Sequence, residues 1–312
     1  MSNPAISGQP LVLSAPAKVN FGLRVVGVRE DGYHELESLF LPLDFADTIT
    51  LEQLPQASGA GHQVEFQLEG GGEEVPTGPA NLAVQAARLF LDSGNLDASL
   101  RIRLQKRLPS GAGLGGGSSD AAAVLRALES CFPGVHSSQA LSEMAITLGA
   151  DVPFFLTLQP AWVSGIGEKI QELAGIPAFA LLLANPGISL VTKRVFKCFD
   201  EGDSALTPWE SGSTMRSVFE FREHPQGEDL QRLLQNDLEP AAQELCPELA
   251  KLRSALSAAG AMAVAMSGSG ATLYGVFEDV AAAERARMGD ELKAVCAAPG
   301  WSQVVCTLPS RA

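Results

Sequence analysis

The sequence has neither the surplus of basic residues typical of nucleic-acid binders nor an apolar run long enough to span a membrane. Acidic residues outnumber Lys and Arg by 36 to 22, and the formal net charge is −14 at pH 7. This balance argues against a general nucleic-acid binder, because affinity for phosphate backbones needs clustered Lys and Arg. The longest apolar candidate, residues 179–191, is interrupted by Asn185-Pro186-Gly187 and falls short of the ~18 residues of a membrane-spanning helix. Because the chain as a whole is negatively charged, an anionic ligand would need a local binding site.

Cysteine is scarce and scattered along the chain. The five cysteines form no CxxC pair and no Cys/His cluster: Cys131, Cys198, Cys246, Cys296 and Cys306. This pattern argues against a zinc site and against a disulfide scaffold, and we expect buried, reduced thiols. The first Lys is Lys18, so the charged n-region of a signal peptide is not expected. These features together predict a cytoplasmic protein that does not bind a membrane.

The chain length of 312 residues favours two domains. Alternating or short apolar runs predict strands, and helical spacing predicts helices. The N-terminal strands are predicted at 11–15, 48–54, 63–68, 100–104, 162–169 (with a glycine turn) and 179–184, and the helices at 81–91, 121–128 and 137–148, the last with Gly149 as C-cap. Towards the C-terminus, helices near 239–245, 247–259 and 279–295 alternate with strands near 262–266, 271–277 and 303–307.

This order of elements is typical of an α+β protein. We predict a loose tail over 1–10, an N-terminal domain over 11–170 and a C-terminal domain over 171–312. Residues 201–230 are polar and lack periodicity, which predicts an insertion or a long surface loop.

A glycine-rich loop is the strongest functional signal. Five glycines lie within seven positions, and Ser118, Ser119 and Asp120 follow them as good capping residues at the expected start of a helix. A glycine loop that leads into a helix N-terminus presents free backbone N–H groups and the positive end of the helix dipole. The loop therefore predicts a phosphate site. Its residues are Pro109, Ser110, Gly111, Ala112, Gly113, Leu114, Gly115, Gly116, Gly117, Ser118 and Ser119.

Three better-known phosphate loops do not fit this sequence. A P-loop needs a Lys directly after its glycines, and none is present. The string Gly111-Ala-Gly113-Leu-Gly-Gly116 matches GxGxxG, but a dinucleotide site needs a buried parallel strand before it and an acidic residue ending a second strand about 20 residues later. A protein kinase needs HRD and DFG motifs, which are absent.

The loop resembles the second motif of the GHMP kinase superfamily, named for galacto-, homoserine, mevalonate and phosphomevalonate kinases. Ala15-Pro-Ala-Lys-Val-Asn20 is similar to the first motif of that superfamily, and Ser267-Gly-Ser-Gly-Ala-Thr272 to the third. The resemblance covers roughly residues 11–200 and 236–310. It implies an α+β GHMP kinase fold of two domains with the active site in the cleft between them, and ATP with Mg²⁺ over the glycine loop.

Three further stretches resemble one branch of the superfamily. They are Asp31-Gly-Tyr-His-Glu-Leu36, Leu148-Gly-Ala-Asp-Val-Pro-Phe154 and Asn236-Asp-Leu-Glu239. Members of that branch phosphorylate the 2-hydroxyl of a cytidine diphosphate-linked methylerythritol on the methylerythritol phosphate route to isoprenoids. The implied partners are therefore this CDP-linked polyol and ATP, with no nucleic acid and no membrane, in a monomer or weak homodimer.

The resemblance also implies roles for single residues. Asp151 matches the general base, and Lys18 would hold it ionised and stabilise the alkoxide as it forms. Asn20 would orient Lys18 or the substrate hydroxyl. Tyr33 and Phe196 match an aromatic pair around cytosine, and His34 matches a contact to the edge of the base. Ser118 and Ser119 are expected to contact phosphate or magnesium, and Asn81 or Lys106 to contact adenine or ribose. The 267–270 loop is expected to close over the substrate or to support the phosphate loop. The magnesium ion is expected to be held largely by ATP.

Two alternatives remain at this stage. Another GHMP small-molecule kinase, of the homoserine or mevalonate type, would have no use for a cytosine platform at Tyr33-His34. A non-catalytic member that only binds ligands would be expected to lack Lys18, Asp151 or the intact glycine loop, and all three are present.

Overall fold

The computed structural model of the chain describes residues 9–55, 61–70, 75–202 and 227–310. The chain forms two compact packing units that interleave along the sequence. Unit 1 takes the described residues within 1–17, 45–110 and 115–158, and unit 2 takes those within 18–44, 111–114 and 159–312. The domains predicted from the sequence meet at one boundary, residue 170, whereas the packing units are each made of several segments. The predicted domain boundary stays a prediction.

Over its described residues, unit 1 combines strands with four helices. The second half of strand β2 (His34–Leu54) pairs antiparallel with β4 (Ser99–Lys106), and β3 (Gln63–Gly70) pairs parallel with β4. Leu100, Ile102 and Leu104 of β4 are buried, while the arginines between them form ion pairs with glutamates of β2 and β3. The helices are α1 (Leu82–Ser93), α2 (Gly116–Cys131), α3 (Ser138–Leu148) and α4 (Phe154–Thr157).

Local capping signals place two of these helices where the sequence predicts them. The Asn81 side chain accepts a hydrogen bond from the backbone N–H of Ala83 and begins α1. The Ser137 hydroxyl accepts from the N–H of Ala140 and begins α3, which ends at Gly149. Side chains of this kind satisfy N–H groups that have no partner inside the helix. The predictions for 81–91 and 137–148 are confirmed.

Unit 2 contains a four-stranded antiparallel sheet in the order β10-β7-β9-β8. The first half of β2 pairs with β5, and β5 pairs with β6. The strands are β1 (Leu11–Val28, which begins in unit 1), β5 (Ala161–Gly165), β6 (Lys169–Glu172), β7 (Ala180–Asn185), β8 (Ala263–Met266), β9 (Leu273–Phe277) and β10 (Trp301–Cys306). The helices are α5 (Thr192–Glu201), α6 (Gly227–Leu233), α7 (Glu239–Leu245), α8 (Glu248–Ala258), α9 (Val280–Arg287) and α10 (Asp290–Val295).

A buried apolar cluster joins these elements of unit 2. Leu182 of β7, Leu249 and Leu256 of α8, and Leu273 of β9 are all fully buried within it. Burial of a side chain of this size stabilises a fold by roughly 1.5–3 kcal/mol. The sheet is thereby fixed against α8, and the 267–270 turn between β8 and β9 has a rigid base.

Several elements differ from the sequence predictions. Strand β1 extends to Val28 instead of ending at residue 15, and α5 was not predicted. The single helix expected over 279–295 is two helices, because α9 ends at Arg287 and Gly289 precedes α10 with an extended backbone. The loop predicted over 201–230 lies mostly outside the described residues. All five cysteines are free thiols, and only Cys246 is buried. In the part of the chain that the structure describes, each helix is too short or too polar to cross a membrane.

Candidate active site

The glycine loop connects β4 to α2 and takes left-handed backbone conformations at three positions. Gly111, Gly113 and Gly115 have φ of 64°, 75° and 72°, a region in which glycine carries no steric penalty. Gly115 is the N-cap of α2, and no side chain caps the helix. Ser118, Ser119 and Asp120 therefore lie inside the first turns of α2, and the expectation that they act as caps is wrong.

The start of α2 has features that favour an anion. Its first turn carries no acidic residue, and Gly115 provides no side-chain acceptor for the first N–H groups. The Ser119 hydroxyl is fully buried and has no hydrogen-bond partner among the described residues. A 16-residue helix whose first N–H groups receive no bond from an N-cap side chain favours an anion at its positive end. The loop residues from Gly115 onward thus retain the donors that a phosphate would need.

Loop residues 111–114 pack against the turn at 267–270. A Cβ atom at Gly113 would lie 2.3 Å from the carbonyl oxygen of Ser267, so only glycine fits there. The Ser267 hydroxyl donates to the carbonyl of Gly113 at 2.9 Å. The backbone N–H of Lys18 donates to the carbonyl of Leu114 at 3.0 Å. Of the two roles expected for the 267–270 segment, these contacts favour support of the phosphate loop.

Lys18 and Asn20 are buried neighbours on β1. The Lys18 ammonium donates to Asn20 Oδ1 at 2.5 Å and lies 4.7 Å from the ring centroid of Phe40. Asn20 Nδ2 donates to the Ser38 hydroxyl at 3.0 Å, and the backbone of Asn20 is bound on both sides. Its N–H donates to Ser267 Oγ at 3.2 Å, and its carbonyl accepts from Tyr274 OH at 2.9 Å. Lys18, 3% exposed, is therefore a positioned cation and no solvated surface lysine.

Asp151 lies in the turn between α3 and α4. Its side chain is half-buried. The N–H of Val152 donates to the carbonyl of Gly149 at 3.1 Å, and Pro153 follows with φ fixed at −56°. A hydrogen-bonded turn before a proline restricts the backbone. Asp151 therefore projects from a backbone with little freedom.

The predicted cytosine contacts His34 and Phe196 meet in unit 2. Their rings stack with centroids 4.6 Å apart, and the edge of Phe199 approaches the same histidine. His34 Nε2 is 2.7 Å from Asp200 Oδ1, which fixes the ring orientation. Tyr33 is 61% exposed. The structure thus brings His34 and Phe196 together and leaves the Tyr33 ring open to a ligand.

A buried charge cluster in unit 1 was not found by sequence reasoning as a unit. The Lys106 ammonium, at the end of β4, donates to Asp47 Oδ2 at 2.5 Å and to Asp120 Oδ2 at 2.8 Å. The other oxygen of Asp47 accepts from the N–H groups of Arg107 and Leu108, just before the glycine loop. The cluster therefore fixes the strand end and the helix start on either side of the loop. The expectation that the Lys106 side chain touches adenine or ribose is not supported, because that ammonium is 4% exposed and paired.

The cluster perturbs the ionisation of its members. Burial raises the pKa of Asp120 to about 7, against the lowering effect of the Lys106 ammonium and with a further increase from the Asp47 carboxylate. Burial by itself would lower the pKa of Lys106, but the carboxylates of Asp120 and Asp47 outweigh it and the pKa is raised. One ammonium thus faces two carboxyl groups of which one takes up a proton near neutral pH.

We expect Asp120→Asn to change the pH dependence of stability. The Asp120 carboxyl ionises near 3.8 without the fold and at about 7 within it, so the folded state binds more protons between these values. Its contribution to the free energy of unfolding therefore falls as pH rises from about 4 to about 7, by at most ~1.4 kcal/mol per pH unit. Urea unfolding at pH 5, 6, 7 and 8 should show that the free energy of unfolding of the variant increases relative to that of the unmodified chain as pH rises. A constant difference would contradict a raised pKa for Asp120.

Metal ligands are not evident from the protein side chains. Within the described ranges, no group of three His, Cys, Asp or Glu residues is arranged to hold a metal ion.

The comparisons with known proteins extend over nearly the whole chain. Residues 81–158 match the GHMP kinases N terminal domain and residues 220–294 match the GHMP kinases C terminal domain. The 4-diphosphocytidyl-2-C-methyl-D-erythritol kinase of Desulfotalea psychrophila is 40% identical to the chain over 273 residues, which are 86% of this chain and 86% of the relative. The chain belongs to the 4-diphosphocytidyl-2-C-methyl-D-erythritol kinase family.

Solved structures agree with this membership in the kinase family. A crystal structure of 4-(cytidine 5'-diphospho)-2C-methyl-D-erythritol kinase is 37% identical, with a TM-score of 0.76 over 95% of this chain and 99% of the other. The homoserine kinase from Cytophaga hutchinsonii has a TM-score of 0.71 at 18% identity, over 99% of this chain and 98% of the other. The second likeness shows only the shared α+β GHMP kinase fold.

Proposed function

We propose that the chain is an ATP-dependent kinase that phosphorylates the 2-hydroxyl of 4-(cytidine 5'-diphospho)-2-C-methyl-D-erythritol. This step belongs to the methylerythritol phosphate route to isoprenoid precursors. The relatives at 37–40% identity carry this name over 85–93% of the chain, which favours it above the homoserine or mevalonate type. The geometry that carries the proposal is the buried Lys18–Asn20 pair, held on a strand that binds the glycine loop directly.

The described residues divide the work of phosphoryl transfer between them. Bound ATP supplies the phosphoryl group that the substrate hydroxyl attacks, with ADP as the leaving group. The N–H groups at the start of α2 bind phosphate oxygens, as the uncapped helix end allows. Lys18 stabilises the negative charge that develops on the oxygens. Asp151 accepts the hydroxyl proton, and because a carboxylate is a weak base toward an alcohol, this transfer comes late.

The magnesium ion belongs to the same proposal. ATP phosphates would provide most of its ligands, because Mg²⁺ in kinase sites is commonly bound through the nucleotide and few protein groups. The buried hydroxyl of Ser119, which has no partner among the described residues, is a suitable further ligand, as is the neighbouring Ser118. A cytoplasmic location and a monomer or weak homodimer remain predictions from the sequence.

Cytosine recognition is assigned to Tyr33, His34 and Phe196. Aromatic rings stack on bases, and a histidine nitrogen can bond the edge of a pyrimidine. Asp200 binds His34 Nε2, so Nδ1 is the ring nitrogen left to face a base. The contact with Asp200 thereby decides which atom of the imidazole meets the substrate.

A coupled assay of ADP release tests the proposal. The chain would receive Mg-ATP with CDP-methylerythritol, mevalonate or homoserine as separate acceptors. ADP release with the cytidine substrate alone is the expected result. Release only with mevalonate or homoserine would remove the cytidine assignment, and release with none of the three would reject the kinase assignment for these acceptors.

We expect His34→Ala to raise the KM for CDP-methylerythritol by about 10-fold or more, since it removes both the edge contact and the ring stacked on Phe196. ATP affinity should stay within about 2-fold, because the loop donors are untouched. His136→Ala is a matched control, since His136 in unit 1 is likewise hydrogen-bonded through Nε2, there to the carbonyl of Phe90, and packs against a phenylalanine ring. Equal weakening of both substrates in the His34 variant would contradict the assignment.

A further inference from the structure

The motif Asn236-Asp-Leu-Glu239 follows α6 and ends at the first residue of α7, and it has no role in the chemistry described so far. Asn236 is 6% exposed. We propose that Asn236 is a positioning residue for phosphoryl transfer, which acts by holding the 267–270 turn against both the glycine loop and Asn20. The inference rests on the proposed kinase function and assigns that function a residue that touches neither substrate.

The Asn236 amide is used completely by the neighbouring backbone. Nδ2 donates to the carbonyls of Met266 and Gly268, both at 2.8 Å. Oδ1 accepts from the N–H of Leu238 at 2.9 Å. The two carbonyls flank Ser267 on either side. One side-chain amide therefore fixes the backbone from which the Ser267 hydroxyl projects.

The Ser267 hydroxyl bonds two parts of the candidate site, so its position affects both. Its hydroxyl donates to Gly113 and accepts from Asn20, whose side chain binds Lys18. The hydroxyl is fully buried with the rest of its side chain. A shift of the 267–270 turn would therefore displace the phosphate loop and also the Asn20 side chain that binds the Lys18 ammonium.

The rest of the motif fixes Asn236 itself to the strand that bears Lys18. Leu23 makes backbone hydrogen bonds to the two neighbours of Asn236: its N–H donates to the Gln235 carbonyl at 2.9 Å, and its carbonyl accepts from the Asp237 N–H at 3.0 Å. The Asp237 carboxylate accepts from the N–H of Val25 and forms an ion pair with Arg24. Asn236 thus spans a fixed distance between β1 and the 267–270 turn.

The chemistry of the amide explains why this position needs asparagine. Aspartate has the same shape but only acceptor oxygens when ionised. In Asn236→Asp an oxygen would face the two carbonyl oxygens of Met266 and Gly268, which would lose a partner inside the fold. The turn should then move away from the motif while the contact to Leu238 is kept.

The variant Gln231→Glu is a matched control. The Gln231 amide donates to the carbonyl of Val264 and accepts from its N–H, at 3.2 and 3.0 Å. Val264 lies on β8, two residues before Met266, and so the control makes the same amide-to-carboxylate change against the same strand. It leaves the 267–270 turn alone.

The experiment compares steady-state kinetics of Asn236→Asp, Gln231→Glu, Ser267→Ala and the double variant Asn236→Asp/Ser267→Ala. We expect Asn236→Asp to lower kcat roughly 10–100-fold, since small misplacements of reacting groups cost this much. The KM for CDP-methylerythritol should change less than about 3-fold, and Gln231→Glu should stay within about 3-fold of the unmodified chain in both constants. The kcat of the double variant should be no lower than that of the less active single variant, because both substitutions act through one hydroxyl.

Other outcomes would overturn the inference. A double variant whose loss equals the product of the single losses would show independent action. If Asn236→Asp and Gln231→Glu lower Tm equally and the kcat of Asn236→Asp is no lower than that of Gln231→Glu, then Asn236 has only a structural role. If Asn236→Asp does not fold by circular dichroism, Asn236→Ser replaces it, since it removes the donors without adding a charge.

Binding of a fluorescent ATP analogue separates this inference from the proposed function. If the unmodified chain binds the analogue but does not phosphorylate CDP-methylerythritol, the proposed function fails. The inference then still requires weaker analogue binding by Asn236→Asp and Ser267→Ala than by Gln231→Glu. Equal affinities in all four proteins would reject it.

Discussion

Asp151→Asn is expected to lower turnover by a factor on the order of 10² or more, because it removes the group proposed to accept the hydroxyl proton. Asparagine keeps the shape of the side chain, and the turn from Gly149 to Pro153 is held by the backbone. Folding and ATP binding should therefore change little. Steady-state ADP release and binding of a fluorescent ATP analogue, measured on the same preparation, would separate these effects.

A matched control is available elsewhere in unit 1. Asp92 lies in the last turn of α1, where it pairs with His62, and Asp92→Asn should leave turnover within about 2-fold. If Asp151→Asn also stays within a few-fold of the unmodified chain, Asp151 is not the proton acceptor. A loss of ATP binding in parallel with turnover would instead assign Asp151 to nucleotide binding.

The second large effect is expected on stability. Lys106→Met should lower the free energy of unfolding by about 3–5 kcal/mol, since removing one partner of a buried ion pair leaves a buried charge without compensation. Asp47 and Asp120 would then face each other at the base of the glycine loop, with exposures of 0% and 3%. Urea unfolding at pH 7.5 would measure the loss. Lys197→Met is the control, because that exposed lysine pairs with Glu201 across one helical turn and such pairs contribute about 0.3–0.5 kcal/mol.

The double variant Lys106→Met/Asp120→Asn makes this prediction specific. It removes one of the two carboxylates that Lys106 compensates, so it should recover part of the stability lost in the single variant. A double variant less stable than Lys106→Met would show that the Asp120 carboxyl stabilises the fold apart from its pairing with Lys106. An effect of Lys106→Met below about 1 kcal/mol would mean that water reaches the cluster.

Much of the fold follows from local signals in the sequence. Ser137 and Gly149 mark the two ends of α3 as capping residues, and the alternation of Leu100, Ile102 and Leu104 with charged residues marks β4. Glycine-rich segments likewise identify the loop before α2. In each case the residues that decide the structure lie within a few positions of one another, where propensity and capping act.

Other elements depend on partners far along the chain. Residues 15–23 of β1 are buried without interruption, so the alternation that marks a half-exposed strand is absent. The first turns of α2 carry Ser and Asp, which are typical caps, but Gly115 takes the capping position because it accepts φ of 72°. Backbone geometry overrode side-chain preference at that point.

The candidate site shows the same division. Lys18, Asn20 and Asp151 were found through motif resemblance and the loop residues through their glycines, and the roles of all of them stay proposals. The Lys106 cluster joins positions separated by 59 and 14 residues, and Asn236 reaches Met266 across 30. No spacing rule connects such residues, because only the folded backbone brings them together.

The two backbone partners of Asn20 have a consequence for how the chain is made. Ser267 and Tyr274 come 247 and 254 positions after Asn20. At about 5–20 residues per second, Ser267 is synthesised roughly 12–50 s after the strand that carries Lys18. A nascent chain therefore holds Lys18 on an incompletely bonded strand until Ser267 and Tyr274 have been made. Premature termination before Ser267 would release a polypeptide with the first two motifs but without the Ser267 and Tyr274 contacts to Asn20.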